Sequence, residues 1–249
     1  MGGVLGIVSE YNPFHNGHIL HFKKSLELTK ADFTIAIMTG NFAQRGEPAL
    51  TDKWSKTEMA LRQGIDLVIE LPTIYSISSA ENFATGSIKI LNSLGIIDYL
   101  SFGSEIGQIK PLNDVASILA KEPKEFSNIL KSQLKSGLSY PKAREIAMQV
   151  YFGNSPIYME ALQNPNNILG VEYLKALKKT NSSITPVTVK REYSEYNSSK
   201  IKNGITSASG IRDMLQNDKN IHQVVPYETY EIIERLQNKR KSCYFYKLF

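Results

Sequence analysis

Residues 4–18 read Val-Leu-Gly-Ile-Val-Ser-Glu-Tyr-Asn-Pro-Phe-His-Asn-Gly-His, an apolar run that passes through a turn into two histidines three positions apart. Val4 to Val8 is short enough for a strand buried on both faces. Asn12-Pro13 marks the turn, and Ile19, Phe22 and Leu26, at i, i+3 and i+7, give the next segment a helical apolar face. A strand feeding a helix is the first half of a β/α unit. In a parallel sheet, ligands sit at the carboxyl ends of the strands, where the next helix presents its unpaired N–H groups. His15 and His18 flank that helix start on one side, and Gly17 between them lets a ligand approach the backbone. Two imidazoles so placed can donate hydrogen bonds to a phosphate as charge builds on it during an in-line displacement. The competing reading is an incidental capping pair, or half of a metal site.

The same alternation continues along the chain. Apolar runs at Phe33 to Met38, Leu67 to Leu71, Tyr99 to Phe102 and Pro186 to Val189 predict four more buried strands, and Gly64 and Gly95 end the helices that begin near Asp52 and Ala80. Repeated β/α units imply an α/β fold with a Rossmann-like parallel sheet. From Pro111 to Lys179 the chain is nearly strandless, with helical stretches at Asp114 to Ala120, Lys124 to Leu134, Lys142 to Val150 and Ile168 to Leu177. This is a helical insertion, 111–179, before the fifth strand. The tail from Pro226 reads as helical and basic, with Arg235, Lys239, Arg240, Lys241 and Lys247 interleaved with Tyr244, Phe245 and Tyr246.

Hydrophobic residues make up 42% and charged residues 21% of the 249, which excludes a disordered chain, and no run approaches the ~20 apolar residues of a membrane span. The single cysteine, Cys243, forms no internal disulfide and is a poor start for a structural zinc site. We therefore expect a reducing, cytoplasmic setting, no targeting segment and no membrane partner. A net charge of +5 favours an anionic partner such as a nucleotide or RNA.

Asn12 to His18 resembles the His-x-Gly-His signature of the nucleotidyltransferase superfamily. Thr206-Ser207-Ala208-Ser209-Gly210-Ile211-Arg212 is similar to that superfamily's second motif, which opens a helix after the last strand; the resemblance assigns Ser207, Ser209 and Arg212 to the β and γ phosphates. Glu10 to His18, Gly40 to Pro48, Asp66 to Pro72, Phe102 to Glu105 and Pro165 to Gly170 stand in the same order as in the bacterial tRNA(Met) cytidine acetate ligase family, which the whole chain resembles. The resemblance implies a nucleotidyltransferase core with helical additions. It also implies an activity: acetate is activated with ATP to acetyl-adenylate, pyrophosphate leaves, and the wobble cytidine of elongator tRNA(Met) is acetylated to N4-acetylcytidine. The ATP site carries over onto Val8, Ser9, Glu10, Tyr11, Asn12, Pro13, Phe14, His15, Asn16, Gly17, His18, Ile19, Leu20 and His21, with Gly103, Asn167, Arg191 and Glu192. His15 and His18 are the catalytic pair. Residues 1–217 are expected to form the ATP-binding domain, insertion included, and 218–249 a basic helical C-terminal segment. Family chains continue well past this point, so a truncated tRNA-capturing end is expected.

The residues agree with acid activation without selecting acetate. A carboxylate is already ionised at neutral pH, so the site needs donors around the phosphate and no strong base. Asn41, Gln44 and Arg45 follow the second strand at the same edge and are candidates for the acid or a tRNA phosphate. Mg²⁺ is expected beside ATP, but Glu70, Glu81 and Glu105 lack a spacing that marks metal ligands, and no metal site is assigned. Trp54 and Tyr75 read as core or rim aromatics. Two other readings stay open: an adenylyltransferase acting on a phosphorylated small molecule, and an ATP- and RNA-binding module without turnover. Nothing in the sequence bears on the oligomeric state.

Overall fold

The computed structural model describes residues 2–44, 46–191 and 204–238. Five strands, β1 (Val4–Ser9), β2 (Phe33–Thr39), β3 (Leu67–Leu71), β4 (Tyr99–Ser104) and β5 (Thr185–Lys190), form one parallel sheet in the order β3-β2-β1-β4-β5. All five lie on the predicted runs. Four extend past them by a residue or two, because their carboxyl ends turn polar at Ser9, Thr39, Ser104 and Lys190.

Helix α1 (Asn16–Thr29) joins β1 to β2, and α2 (Lys53–Arg62) joins β2 to β3. A short α3 (Thr73–Ser76) and α4 (Ala80–Leu94) lead to β4, and α4 ends on Gly95 in the left-handed conformation expected of a closing glycine. Between β4 and β5 come α5 (Ile109–Lys121), α6 (Lys124–Lys135), α7 (Tyr140–Tyr151), α8 (Pro156–Gln163) and α9 (Pro165–Lys179); α10 (Ala208–Gln216) and α11 (Tyr227–Asn238) follow β5. The insertion is therefore helical as expected, with α8 added. Pro156 and Pro165 sit in the first turns of α8 and α9, where a missing N–H costs nothing, so these prolines start helices.

Strand alternation divides the core in two. Leu5 and Ile7 of β1 and Ala36 and Met38 of β2 face Phe22 of α1, Met59 of α2, Ile211 of α10 and Ile232 and Ile233 of α11. Ile35 and Ile37 of β2 and Leu100 and Phe102 of β4 face Ile88 of α4 together with Val115, Phe126, Ala147 and Leu174 of the inserted helices. The insertion thus packs onto the sheet as its second layer. No described helix is long and apolar enough to cross a membrane. The chain moves outward from β1 to β3 and then returns to β4 on the other side of β1. The connections from β1 to β2 and from β4 to β5 therefore leave the sheet in opposite directions, which opens a crevice at the carboxyl ends of β1 and β4.

Candidate active site

A cavity of about 470 Å³ fills that crevice. The turn after β1 lines it from Val8 to Asn12, α1 contributes Gly17, His18, Leu20 and His21, and His15 sits just before that helix. Gly103 of β4, Lys190 and Arg191 at the end of β5, Tyr173 of α9 and Thr206 before α10 close the other walls.

The two histidines interlock. His15 is the N-cap of α1: its Nδ1 accepts from Gly17 N at 3.1 Å, while His18 Nδ1 accepts from His15 N at 3.2 Å. A ring nitrogen that accepts carries no proton, so both imidazoles are neutral with the proton on Nε2. Their rings stack at 3.6 Å. Burial, reinforced by the Arg191 charge, lowers His15 to about 3; burial and then the neighbouring His15 put His18 well below its usual value. His21, whose Nε2 lies 3.2 Å from Ser101 Oγ, is lowered to about 4, again by burial first. The capping reading and the functional reading are therefore compatible, since the cap fixes the tautomer and leaves an N–H on each ring for a ligand. Gly17 has an added reason to be glycine: a Cβ there would stand 2.9 Å from His15 Cε1.

A pH dependence follows. A histidine whose folded pKa lies below its unfolded value of 6.5 takes up its proton more readily in the unfolded chain, so stability is full above pH 6.5 and falls as pH drops toward 3. His15, only 6% exposed, should alone cost about 2 kcal/mol at pH 5. Thermal melts between pH 7.5 and 5 should show the loss, and His15→Asn should reduce it. A melting temperature flat over that range would contradict a buried neutral imidazole.

The turn itself is braced. Tyr11 adopts φ +44°, a left-handed conformation that costs a non-glycine residue about 1 kcal/mol. Its ring packs against Phe14 and His18 at 4.5 and 4.8 Å. Asn12 Oδ1 accepts from Leu50 N at 2.6 Å, Glu10 Oε1 accepts from Gln44 N at 2.7 Å, and Asn16 Nδ2 donates to the Gly204 and Gln223 carbonyls. Phe14 is wholly buried.

Other predicted site residues are placed less directly. Pro13, Phe14, Asn16 and Ile19 support the turn and helix without lining the cavity, as do Asn167, Ser207, Ser209 and Arg212 from elsewhere. Ser207 is the N-cap of α10: its Oγ accepts from Gly210 N at 3.0 Å and lies 2.9 Å from Ser209 Oγ. Arg212 donates to the Asn12 carbonyl at 3.0 Å and faces Glu47 at 3.5 Å, so it reaches the β1 turn from behind. Asn167 is fully buried: Oδ1 accepts from Glu105 N and Ile106 N, and Nδ2 donates to the Glu160 carbonyl. Glu105 returns the contact, accepting from Asn166 N, Asn166 Nδ2 and Asn167 N at the start of α9. Gly103 does line the cavity, and a Cβ there would meet Arg191 Cγ at 3.2 Å. Gln44 lines it too, whereas Asn41 Oδ1 accepts from Lys53 N outside it. Arg45, Glu192 and the basic aromatic run Lys239 to Lys247 lie outside the described residues.

The remaining candidates have structural partners. Glu70 pairs with Lys53 and Glu81 with Lys175; Trp54 is 73% exposed, and the Tyr75 ring fills the space beside Gly86. Among the described residues no three His, Cys, Asp or Glu side chains form a metal-binding group. Sequence reasoning missed Lys56, whose buried Nζ donates to the Thr39 and Gly40 carbonyls and to Thr39 Oγ1, and which burial lowers to about 8. Its spacing with Met59 and Ala60, i, i+3 and i+4 on one face of α2, was the available signal. Tyr173, Lys190 and Thr206 had none.

The profile of the HIGH nucleotidyl transferase family matches residues 3–249. The chain belongs to this family. Within the family it is similar to the tRNA(Met) cytidine acetate ligase of Thermoanaerobacter sp. (strain X514), with 52% identity over 242 residues, 96% of this chain and 60% of that protein. The corresponding ligase of Clostridium acetobutylicum is 45% identical over 250 residues, 97% of this chain and 61% of its own length. The crystal structure of Thermotoga maritima TmcAL bound with alpha-thio ATP superposes with a TM-score of 0.89 at 39% identity, covering 96% of this chain and 57% of that one. Its apo form gives 0.93 over 96% and 58%. The chain thus spans about three fifths of the length of the curated relatives it matches.

Proposed function

We propose that this HIGH nucleotidyl transferase activates acetate with ATP, forming acetyl-adenylate and releasing pyrophosphate, and passes the acetyl group to the wobble cytidine of elongator tRNA(Met) as N4-acetylcytidine. One observation carries the chemistry: the paired neutral imidazoles at the β1–α1 turn, each with an Nε2–H left for a ligand. Such donors suit a phosphate that gains charge as the carboxylate attacks, and they take no proton from an acid that has none to give. The names of the relatives support acetate and tRNA(Met), and the alpha-thio ATP bound by the Thermotoga maritima protein supports the nucleotide. In this reading residues 1–217, with the insertion 111–179, form the ATP-binding domain, and the basic segment 218–249 adds attraction for tRNA phosphates in the cytoplasm. Mg²⁺ would be held chiefly by the ATP phosphates.

Exchange of labelled pyrophosphate into ATP tests the first half-reaction. It should depend on acetate; exchange supported instead by phosphopantetheine or nicotinamide mononucleotide would identify a different adenylyl acceptor. Labelled acetate with ATP and elongator tRNA(Met) tests the second half, read as label on the wobble cytidine. Arg212→Ala should weaken ATP binding about tenfold, since the Asn12 carbonyl would lose a charged donor worth about 1.5–3 kcal/mol and the turn that carries His15 would loosen. Calorimetric titration with ATP measures it. Unchanged affinity would remove α10 from the nucleotide site.

A further inference from the structure

A buried cation stands behind the wall of the cavity. Lys56 of α2 is 1% exposed, and its Nζ donates to the Thr39 carbonyl at 2.8 Å, to Thr39 Oγ1 at 3.0 Å and to the Gly40 carbonyl at 3.0 Å. Three donors meet three acceptors, yet neutral oxygens do not cancel a charge, and an ammonium out of water is costly unless carboxylates offset it. Two are near: Glu10, just after β1, and Glu70 in β3. Glu70 already pairs with Lys53 at 2.6 Å. The acceptors of Lys56 are the root of the turn that follows β2. That turn closes on itself through a bridge between Phe42 and Pro48 and a bond from Ala49 N to the Asn41 carbonyl, and it meets the β1 turn where Gln44 N reaches Glu10 Oε1 at 2.7 Å. Glu10 and Gln44 both line the cavity. Gly103 and Arg191 enter it from β4 and β5, whereas Gln44 comes from β2, on the other side of β1.

We propose that Lys56 is a positioning residue for acid activation: it ties down the root of the turn after β2 and balances Glu10, so that Glu10 and Gln44 keep their places in the cavity wall as the anionic substrates enter. The assignment rests on the acid-activation reading above and adds a residue that touches neither substrate. Acetate and ATP are both anions, and a carboxylate in the wall with no positive charge behind it repels them. Loss of the Lys56 proton leaves a neutral amine with one donor fewer, so the root of the turn and the charge balance are weakened together. Burial lowers Lys56 to about 8, against the opposing pull of Glu10 and Glu70. β2 brings no titratable side chain to it, and the charged groups of α11, Glu228, Glu231 and Arg235, meet Gln63, Arg62 and Glu58 of α2.

Single-turnover formation of acetyl-adenylate at subsaturating acetate, followed from pH 7 to 9.5, tests this, because acetate keeps its charge over the whole range. In the parent the rate should fall about tenfold between pH 7.5 and 9, with an apparent pKa near 8. Loss of fold gives a different signature. An unfolded lysine, at 10.5, keeps its proton where the folded one loses it, so Lys56 by itself adds stability as pH rises from 8 to 10.5, and melting temperatures recorded alongside separate the two effects. Lys56→Met, of similar length and without charge, should lower the rate at pH 7 about tenfold or more and abolish the alkaline fall; Lys56→Arg, which stays charged, should recover part of the rate and move the fall above pH 9.5. A parent rate that is flat from pH 7 to 9.5, or the parent's alkaline fall persisting in Lys56→Met, would overturn the assignment. Should Lys56→Met melt below the assay temperature, the parent profile and Lys56→Arg decide, and a fall near pH 8 in Lys56→Arg overturns it. Absence of acetyl-adenylate from the parent at every pH would instead overturn the acid-activation reading, and this assignment with it.

Discussion

His15→Asn is expected to fold and bind ATP yet form acetyl-adenylate at least about 100-fold more slowly than the parent. Asparagine is a preferred N-cap, and its Oδ1 can take over the bond that His15 Nδ1 accepts from Gly17 N, so α1 keeps its start. It has no group where Nε2–H stood. A donor aimed at charge that develops in the transition state is worth about 2.7 kcal/mol or more, which sets the hundredfold floor. His18→Ala should lose as much, while His18→Gln, whose amide reaches nearer to Nε2, should recover part of it. Single-turnover formation of the adenylate measures these rates apart from binding. The pH profile adds a second readout: with His15 at about 3 and His18 well below its usual value, the rate should show no loss with an apparent pKa near 6.5. Parent-rate adenylate formation by either His15→Asn or His18→Ala would take the histidines out of catalysis.

The fold was legible because its strands are buried on both faces and therefore read as unbroken apolar runs, with helical periodicity between them. The apolar runs stop short of Ser9, Thr39, Ser104 and Lys190, where the strands turn polar, and two of these ends, Ser9 and Lys190, line the cavity. His15 and His18 could be picked out because their spacing is local. Their protonation state could not, since it depends on burial under distant elements and on Arg191, far along the chain. The second motif was visible as residues but not as geometry: Ser207 caps its own helix, and Arg212 reaches back to a backbone carbonyl of the first motif. Lys56 was hidden by its type, because a lysine on a helix is ordinarily solvated, and its burial is made tolerable by the Thr39 and Gly40 carbonyls, Thr39 Oγ1 and the nearby Glu10 and Glu70 charges.

Asn167 was carried over as an ATP contact, and the structure makes a different demand of it. Its amide serves two N–H groups, at 2.9 and 3.2 Å, and one carbonyl, at 3.0 Å, from a fully buried position. The Glu105 carboxylate answers by accepting the N–H groups of Asn166 and Asn167, so the turn after β4 and the start of α9 each cap the other. Gly103 on one side of this clasp and Asn166, Ile168 and Leu169 on the other line the cavity, which is how a residue outside it can shape it. Asn167→Ala should therefore cost about 3 kcal/mol, because two N–H groups and one carbonyl around a fully buried side chain lose their partner, and lower the melting temperature by about 6–12 °C. A direct nucleotide contact would instead weaken ATP binding and leave the ligand-free protein as stable as before. Glu105→Gln removes the other half of the clasp, so the double variant should lose clearly less than the sum of the single losses. Strictly additive losses, or an Asn167→Ala protein that melts with the parent, would dissolve the clasp and return Asn167 to the ligand.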